Sequence, residues 1–161
     1  MKKTIFSFLI FGIFSLFSFT TTKFVNHEQI AFEYFISDIL KRDFTDLQAI
    51  EFKGKTEESF SKLRRFKFCM KPEEKLQSLL EDATKVRETN SKQINYDQIN
   101  NVTITDFTDK SNRAKLYIYQ AVRVADNFYV FLSIQQRKES LSNYVFELNS
   151  DGELLRSCKM K

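Results

Sequence analysis

The sequence predicts a single α+β domain in which an N-terminal helix packs on a four- to five-stranded antiparallel meander. Two patterns lead to this prediction. An apolar stripe at helical spacing begins after Asn26, and the last third of the chain holds short β-branched and aromatic runs separated by polar turns. One or two further helices are expected between the first strand and the meander. Helices gathered on one sheet, rather than alternating with its strands, are typical of α+β folds.

The first helix is predicted from its cap and its stripe. Asn26 is a good N-cap residue, and Gln29, three residues later, completes a capping-box pattern. The mixture of acids and bases on the polar side of this helix favours core packing over binding to a membrane surface. The apolar residues at helical spacing are Ala31, Phe32, Phe35, Ile36, Ile39 and Leu40. The polar residues predicted to point away from the core are Glu28, Glu33, Ser37, Lys41 and Arg42.

Shorter elements lie between this helix and the meander. Residues 49–53 alternate as a strand, and Pro72 begins a helix because proline is well tolerated at the first helical position. Residues 86–101 are weakly patterned and predict a long rim loop. Residues 101–106 alternate as the strand that enters the sheet. The anchors expected in the rim loop are Ile94, Tyr96 and Ile99.

Four runs form the predicted meander, at 114–124, 128–134, 144–148 and 154–158. The turn at 125–127 is expected to be a tight hairpin, because Asp126 and Asn127 tolerate left-handed backbone. The turn at 150–152 places Gly152 at the position where a positive φ is needed.

Alternation along the strands predicts two different sheet faces, since successive side chains point to opposite sides. One face is aliphatic and is assigned to the core, and the other is aromatic, mixed with polar residues and partly solvated. The aliphatic set is Leu116, Ile118, Val122, Val124, Phe128, Val130, Leu132 and Ile134. The second set is Tyr117, Tyr119, Arg123, Tyr129, Phe131, Ser133 and Gln135.

Four aromatic rings of the second face suggest a contact surface for a partner, because monomers rarely leave such a patch bare and tyrosine is enriched at interfaces. The alternative is that the helix after Pro72 packs on this face and buries the rings as core. Both interpretations stay open at this point. The rings are Tyr117, Tyr119, Tyr129 and Phe131, and the helix would cover them with Leu76, Leu79 and Leu80.

Residues 1–22 have the pattern of a signal peptide. Lys2 and Lys3 precede a 15-residue apolar stretch at 5–19, which is short for a membrane-spanning helix. The sequence therefore predicts an exported mature domain at 23–161, in the periplasm, on the cell surface or secreted, with no stable membrane insertion after cleavage. The alternative is an uncleaved N-terminal membrane anchor.

Charge argues against a nucleic-acid partner for the domain as a whole. The chain carries 25 basic and 21 acidic residues, a net charge of +4, and cleavage would remove two lysines and leave about +2. Basic residues concentrate only at 53–71, where they alternate with phenylalanines. This stretch is a candidate site for polyanions or glycans, and the alternative is a solvated face whose phenylalanines enter the core. Its basic residues are Lys53, Lys55, Lys62, Arg64, Arg65, Lys67 and Lys71.

The residues predict no catalytic constellation and no cofactor. His27 is the only histidine, and at the start of a helix it is expected to be a polar surface residue. A catalytic triad needs a base held between two partners, and zinc sites need several such ligands. Cys69 and Cys158 are the only cysteines, and in an exported chain an even count favours a disulfide between them. The alternative is a pair of buried thiols.

The order of elements over 26–158, a helix followed by a meander, resembles the cystatin-like and NTF2-like families in topology. The Gln-x-Val-x-Gly hairpin of cystatin inhibitors is absent, so the resemblance does not imply protease inhibition. The start Lys2-Lys3, the Phe-rich leader and the closing Asp151-Gly152-Glu153 hairpin resemble small exported proteins of Gram-negative bacteria, a group with no assigned activity.

Three classes of function remain. The first is an exported, non-catalytic module that binds a protein, a peptide or an envelope component. The second is a small-ligand or enzymatic cup of NTF2-like type between the helix and the curled sheet, which a cavity of roughly 300 Å³ or more with converging polar groups would favour. The third is polyanion binding through 53–71, which salt-dependent retention on heparin would favour.

Overall fold

One helical segment packs on one face of a seven-stranded, mostly antiparallel sheet. The computed structural model describes residues 24–47, 49–58, 92–97, 103–105, 114–136 and 141–160. This arrangement confirms the α+β class. The predicted signal peptide at 1–22 and the helix beginning at Pro72 lie outside the described residues, as do the other parts of 59–91, 98–102 and 106–113.

The helical segment consists of α1 at His27–Tyr34, a π-helical turn at Phe35–Ile39 and α2 at Leu40–Asp43. The Asn26 side chain caps it by accepting a hydrogen bond of 3.1 Å from the backbone N–H of Gln29, as predicted. All the apolar positions predicted for the core-facing stripe are buried, which confirms the side of the helix that packs on the sheet. These are Ala31, Phe32, Phe35, Ile36, Ile39 and Leu40.

The sheet has more strands than the four to five predicted. They are β1 at Ala49–Glu51, β2 at Thr103–Thr105, β3 at Ala114–Ile118, β4 at Val122–Val124, β5 at Asn127–Gln135, β6 at Ser142–Leu148 and β7 at Leu154–Met160. The order is β2-β1-β3-β5-β6-β7, and β4 pairs with β5 beside β3. β1 is parallel to both β2 and β3, so this edge of the sheet departs from the predicted antiparallel arrangement.

The run at 114–124, predicted as one strand, is two strands because an extra residue interrupts its pairing with β5. Ile118 lies opposite Leu132, whereas Val122 lies opposite Tyr129. Four steps on one strand thus match three on the other, which is the geometry of a β-bulge. A shift of one residue moves side chains to the opposite face of the sheet. Val122 and Val124 therefore leave the face of Ile118, contrary to the prediction that all the aliphatic residues of this run share one side.

Arg123 moves to the other face for the same reason. It lies opposite Phe128 on β5, and its guanidinium carbon is 5.9 Å from the centroid of the Phe128 ring. The prediction that Arg123 shares a face with Tyr117 and Tyr119 was therefore wrong. The periodicity of β5 itself is confirmed, since its aliphatic residues contact the helix and its aromatic residues Tyr129 and Phe131 lie on the second face.

Aromatic rings fill the space between the helix and the first face of the sheet. The Phe35 ring packs edge-on against Tyr144 with centroids 5.4 Å apart, and the Phe32 ring stacks on Phe52 at the same centroid distance. Tyr144 donates a hydrogen bond of 2.9 Å to Oδ2 of Asp43 at the end of α2. Burial and this carboxylate raise the pKa of Tyr144. Full burial of a phenylalanine contributes about 2–3 kcal/mol, so these rings are major contributors to stability.

The second face carries a separate buried cluster that includes a charged network. Glu147 accepts hydrogen bonds of 2.7 Å from both Asn127 Nδ2 and the Tyr129 hydroxyl, and Arg156 Nε donates to its other oxygen. The carboxylate is thereby compensated by three donors. The apolar members of this cluster are Val122, Val124, Tyr129, Phe131, Val145 and Met160.

The two tight turns use positive φ in different ways. At 150–152, Gly152 has φ of +87°, as predicted, and a Cβ there would lie 2.6 Å from Ile30 Cδ1. At 125–127 the left-handed residue is Ala125, with φ of +53°, rather than Asp126 or Asn127. The hairpin register therefore places the strain one residue earlier than the turn propensities indicate.

Candidate functional site

The start of α1 carries two buried polar side chains that the sequence places on the surface. His27 is 5% exposed and Glu28 is fully buried. The His27 ring stacks on Phe128 with centroids 3.8 Å apart, and its Nε2 is 3.0 Å from the backbone oxygen of Asn149. Because a carbonyl oxygen only accepts, Nε2 carries the proton and donates it. The surface predictions for His27 and Glu28 were wrong. Phe128 on β5 and Asn149 after β6 cover His27, whereas Ala121 and Lys92 contact Glu28.

Glu28 joins three separate parts of the chain. Its Oε1 accepts a hydrogen bond of 2.9 Å from the backbone N–H of Ala121, in the break between β3 and β4. The Lys92 ammonium lies 3.1 Å from Oε1 and 3.3 Å from Oε2. A buried carboxylate is tolerated only when its charge and lone pairs are satisfied, and these two partners supply that. Glu28 therefore fixes the helix start to Lys92, in a second segment of the chain.

That second segment, residues 92–97, pairs with the chain that follows β1. The Ile94 N–H donates to Gly54 O, and the Thr56 N–H donates to Lys92 O, both at 2.8 Å. Ile94 is buried, and the Tyr96 ring packs edge-on against a core ring, so two of the three predicted anchors are confirmed. The third, Ile99, lies outside the described residues. Gly54 has φ of +69°, and a Cβ there would lie only 3.1 Å from the Tyr96 ring.

A double hydrogen bond connects α1 to this segment. Gln29 Nε2 donates to Asn95 O, and the Asn95 N–H donates to Gln29 Oε1, both at 2.8 Å. The side-chain amide thus pairs with a backbone peptide as a neighbouring strand would. Gln29 Nε2 also donates to Glu33 Oε1 at 2.8 Å, one helical turn further on. The capping-box pattern predicted a bond from Gln29 back to Asn26, and the long-range pairing with Asn95 takes its place.

A polar groove of about 590 Å³ lies between α1 and this segment. Its walls carry amides, carboxylates, one tyrosine and one isoleucine, and none of the described residues that line it is basic. Within the described part of the chain, the Asp97 carboxylate and the Gln93 side-chain amide make no hydrogen bond. The lining residues are Asn26, Gln29, Glu33, Gln93, Ile94, Asn95, Tyr96 and Asp97.

The four aromatic residues predicted as a contact surface differ in exposure. Tyr129 is 6% exposed and Phe131 is 1% exposed, whereas Tyr117 and Tyr119 are partly exposed. Burial and the neighbouring Glu147 raise the pKa of Tyr129 to about 12. An exposed patch of four rings is therefore not formed, and the contact-surface hypothesis retains only Tyr117 and Tyr119. Leu76, Leu79 and Leu80, the predicted cover, lie outside the described residues.

The predicted basic stretch is described only at its start. Lys53 and Lys55 are exposed, and Lys53 Nζ pairs with Glu57 Oε1 at 3.1 Å. The remaining basic residues, Lys62, Arg64, Arg65, Lys67 and Lys71, lie outside the described residues.

Cys158 lies on β7 opposite Val145. Cys69 lies outside the described residues, so the pairing of Cys69 with Cys158 stays a prediction. In the described ranges, no group of three or more His, Cys, Asp or Glu side chains is arranged to hold a metal ion.

Comparisons with known proteins give no relative: no family profile, no curated protein and no solved structure matches this chain. Within the described residues, no helix has the length and apolarity needed to cross a membrane.

The groove was missed at the sequence level because its key contacts join distant residues. Gln29 and Asn95 are 66 positions apart, and Glu28 and Ala121 are 93 apart. Gln29 carries a local signal, the capping pattern, but that signal points to Asn26. An acid in the first helical turn is expected from the helix dipole alone, so Glu28 offers no sign of its buried role.

Proposed function

We propose that the protein is an exported, non-catalytic binding module and that the groove between α1 and residues 92–97 is its binding site. The observation that carries this proposal is the double hydrogen bond between Gln29 and Asn95, which fixes one wall to the other. A site whose walls are already in place binds without the cost of ordering them. Its ligand would be a peptide or a component of the envelope.

The groove residues divide into supporting and contacting groups. Glu28 and Lys92 form an ion pair whose carboxylate is buried, and the Gln29 side-chain amide is hydrogen-bonded to Asn95 and Glu33. The Gln93 amide and the Asp97 carboxylate, which are exposed, are the groups that would meet a ligand. The supporting groups set the distance between the walls, and the contacting groups set the preference for a ligand.

A non-catalytic role is supported by the use of His27. Its ring is held between the Phe128 ring and the Asn149 carbonyl, and His27 is not among the described residues that line the groove. A general base must reach the proton that it abstracts in a substrate. The stacked and buried position gives His27 a structural task at the helix N-terminus instead.

The volume of the groove favours a small-ligand site as the second candidate. About 590 Å³ lies in the range of small-molecule sites, above the roughly 300 Å³ set as the criterion. The NTF2-like version of this hypothesis places the ligand between the helix and the sheet, but the Phe32, Phe35 and Tyr144 rings occupy that layer. Polyanion binding through 53–71 remains a third proposal, tested by retention on heparin at rising salt.

The test of the proposed function is a fragment screen by nuclear magnetic resonance on the isotope-labelled mature protein. We expect bound fragments to shift the backbone amides of residues 93–97. Gln29→Ala should weaken these fragments about tenfold, because the walls lose their connection and must be ordered on binding. Gln135→Ala, which removes an exposed glutamine at the end of β5, is the matched control and should change nothing. Fragments that shift Tyr117 and Tyr119 instead would move the site to the second face.

A further inference from the structure

We infer that the groove binds a neutral, polyhydroxylated ligand, a short saccharide chain. This inference rests on the proposed function and names the ligand class of the same site. It follows from three properties of the groove: the charge of its walls, the balance of hydrogen-bond donors and acceptors on them, and the aromatic ring within it.

The charge of the described walls disfavours anionic ligands. Glu33 and Asp97 line the groove, and none of the other described lining residues is basic. The nearest lysine along the segment, Lys92, is paired with the buried Glu28 carboxylate. A phosphate, a carboxylate or an acidic glycan would meet the like charge of Glu33 and Asp97 in the groove. The ligand is therefore neutral or cationic.

The amides distinguish between these two possibilities. The groove is lined by the side chains of Asn26, Gln93 and Asn95, and each amide offers donors as well as an acceptor. The oxygens of Asn26 and Asn95 already accept backbone N–H groups, of Gln29 and Asp97, at 3.1 and 3.0 Å. Their amide nitrogens therefore remain as donors toward a ligand. An ammonium group only donates and leaves such donors without partners, whereas a hydroxyl group both donates and accepts.

The carboxylates complete the match. Within the described part of the chain, the Asp97 carboxylate makes no hydrogen bond, and Glu33 uses only its Oε1, which accepts from Gln29. These oxygens accept from hydroxyl groups, and bonds to an ionised acceptor are the stronger ones. Amide donors beside carboxylate acceptors suit the vicinal hydroxyls of a sugar ring, each of which presents both functions.

The Tyr96 ring supplies an apolar surface with a polar tip. It is partly exposed in the groove and is held by edge-on packing on Phe52, with centroids 6.0 Å apart. The close approach of Gly54 to this ring fixes its position further. The C–H groups of a sugar ring are apolar, and an amphipathic tyrosine contacts them while its hydroxyl stays solvated. A flat polar patch without this ring would not favour a saccharide over water.

The experiment titrates the labelled mature protein with three probes: a tetrasaccharide of β-1,4-linked glucose, a tetrasaccharide of β-1,4-linked N-acetylglucosamine, and tetralysine. We expect one of the tetrasaccharides to shift the amides of 93–97, with a Kd that does not depend on salt. Gln93→Ala should raise this Kd about tenfold, and Asp97→Asn, which keeps the shape and one acceptor, about threefold. Gln135→Ala serves as the unchanged control.

The other outcomes of this titration contradict either the ligand class or its assignment to the groove. One such outcome is that tetralysine is the probe that shifts the amides of 93–97, with a Kd that depends on salt and with no binding to Asp97→Asn. In that case the ligand is cationic and the saccharide inference is wrong, while the groove remains the binding site. If neither tetrasaccharide shifts 93–97, the saccharide inference is overturned, and the fragment screen decides separately whether the groove binds anything. A tetrasaccharide that shifts only residues outside 93–97 contradicts the assignment of this ligand to the groove.

Discussion

The core beneath the helix and the groove beside it are built from the same helical segment, yet different forces hold them. The side that faces the sheet is apolar, and Phe32, Phe35 and Ile39 pack there without directional bonds. The side that faces residues 92–97 uses two hydrogen bonds from Gln29 and the buried Glu28–Lys92 pair. The apolar side sets how stable the protein is, and the polar side sets the shape of the groove.

The largest expected effect lies in the core. Phe35→Ala removes a fully buried ring that contacts Phe44 and Tyr144, and we expect it to lower the free energy of unfolding by about 3–5 kcal/mol. Chemical denaturation measures this loss. Phe24→Ala is the matched control, because the Phe24 ring is 80% exposed and its removal should cost less than about 0.5 kcal/mol. Equal losses in the two variants would show that the helix does not pack as described.

Glu28→Gln tests the ion pair between Glu28 and Lys92, which connects α1 to residues 92–97. The amide keeps the size of the side chain but leaves the Lys92 ammonium without its carboxylate, so we expect a loss of about 1–3 kcal/mol. The exposed Glu33→Gln should change the stability by less than about 0.5 kcal/mol. A Glu28→Gln protein as stable as the wild type would mean that the buried pair does not join the walls.

Gly152→Ala tests the contact between the last hairpin and the start of the helix. A Cβ at φ of +87° is strained, and it would lie 2.6 Å from Ile30 and 2.8 Å from Val25. We expect a loss of about 1–3 kcal/mol in thermal or chemical unfolding. Asp151→Ala, in the same turn but exposed, is the control.

A pH titration tests the buried network on the second face of the sheet. Tyr129 on the second face has its pKa raised from 10.0 to about 12 by burial and Glu147. A raised tyrosine pKa means that the folded state holds the proton more tightly, so this contribution to stability is complete below pH 10 and disappears as pH rises toward 12. Tyrosinate absorbance should show this late ionisation, and Tyr129→Phe should remove it. An ionisation of Tyr129 near pH 10 would contradict its buried bond to Glu147.

The smallest effect on stability is expected from Gln29→Ala. The amide is exposed, and its loss should cost less than about 1 kcal/mol, since the net contribution of such hydrogen bonds is small. Its effect on ligand binding should be much larger than its effect on unfolding. In Phe35→Ala, by comparison, the loss of unfolding free energy should be the larger effect. The two variants thus distinguish the role of the polar side of the helix from that of the apolar side.

Local patterns predicted the helix stripe and the faces of β5 correctly, because periodicity depends on neighbouring residues alone. They failed at Val122 and Val124, where one extra residue opposite β5 reverses the alternation. They also failed at Glu28, whose partners at Lys92 and Ala121 are distant in sequence. Residue periodicity indicates neither feature. The bulge depends on the pairing with β5, and the ion pair depends on a residue that is distant in sequence. The groove could not be predicted for the same reason.

Hydrogen exchange at the Asn95 amide tests the central claim most directly. In the ligand-free wild type this N–H donates to Gln29 Oε1 at 2.8 Å, so we expect it to be protected from exchange. Gln29→Ala should remove this protection, and Gln135→Ala should leave it intact. If Asn95 exchanges as fast in the wild type as in Gln29→Ala, the walls are not joined before binding, and the account of a preformed groove is contradicted.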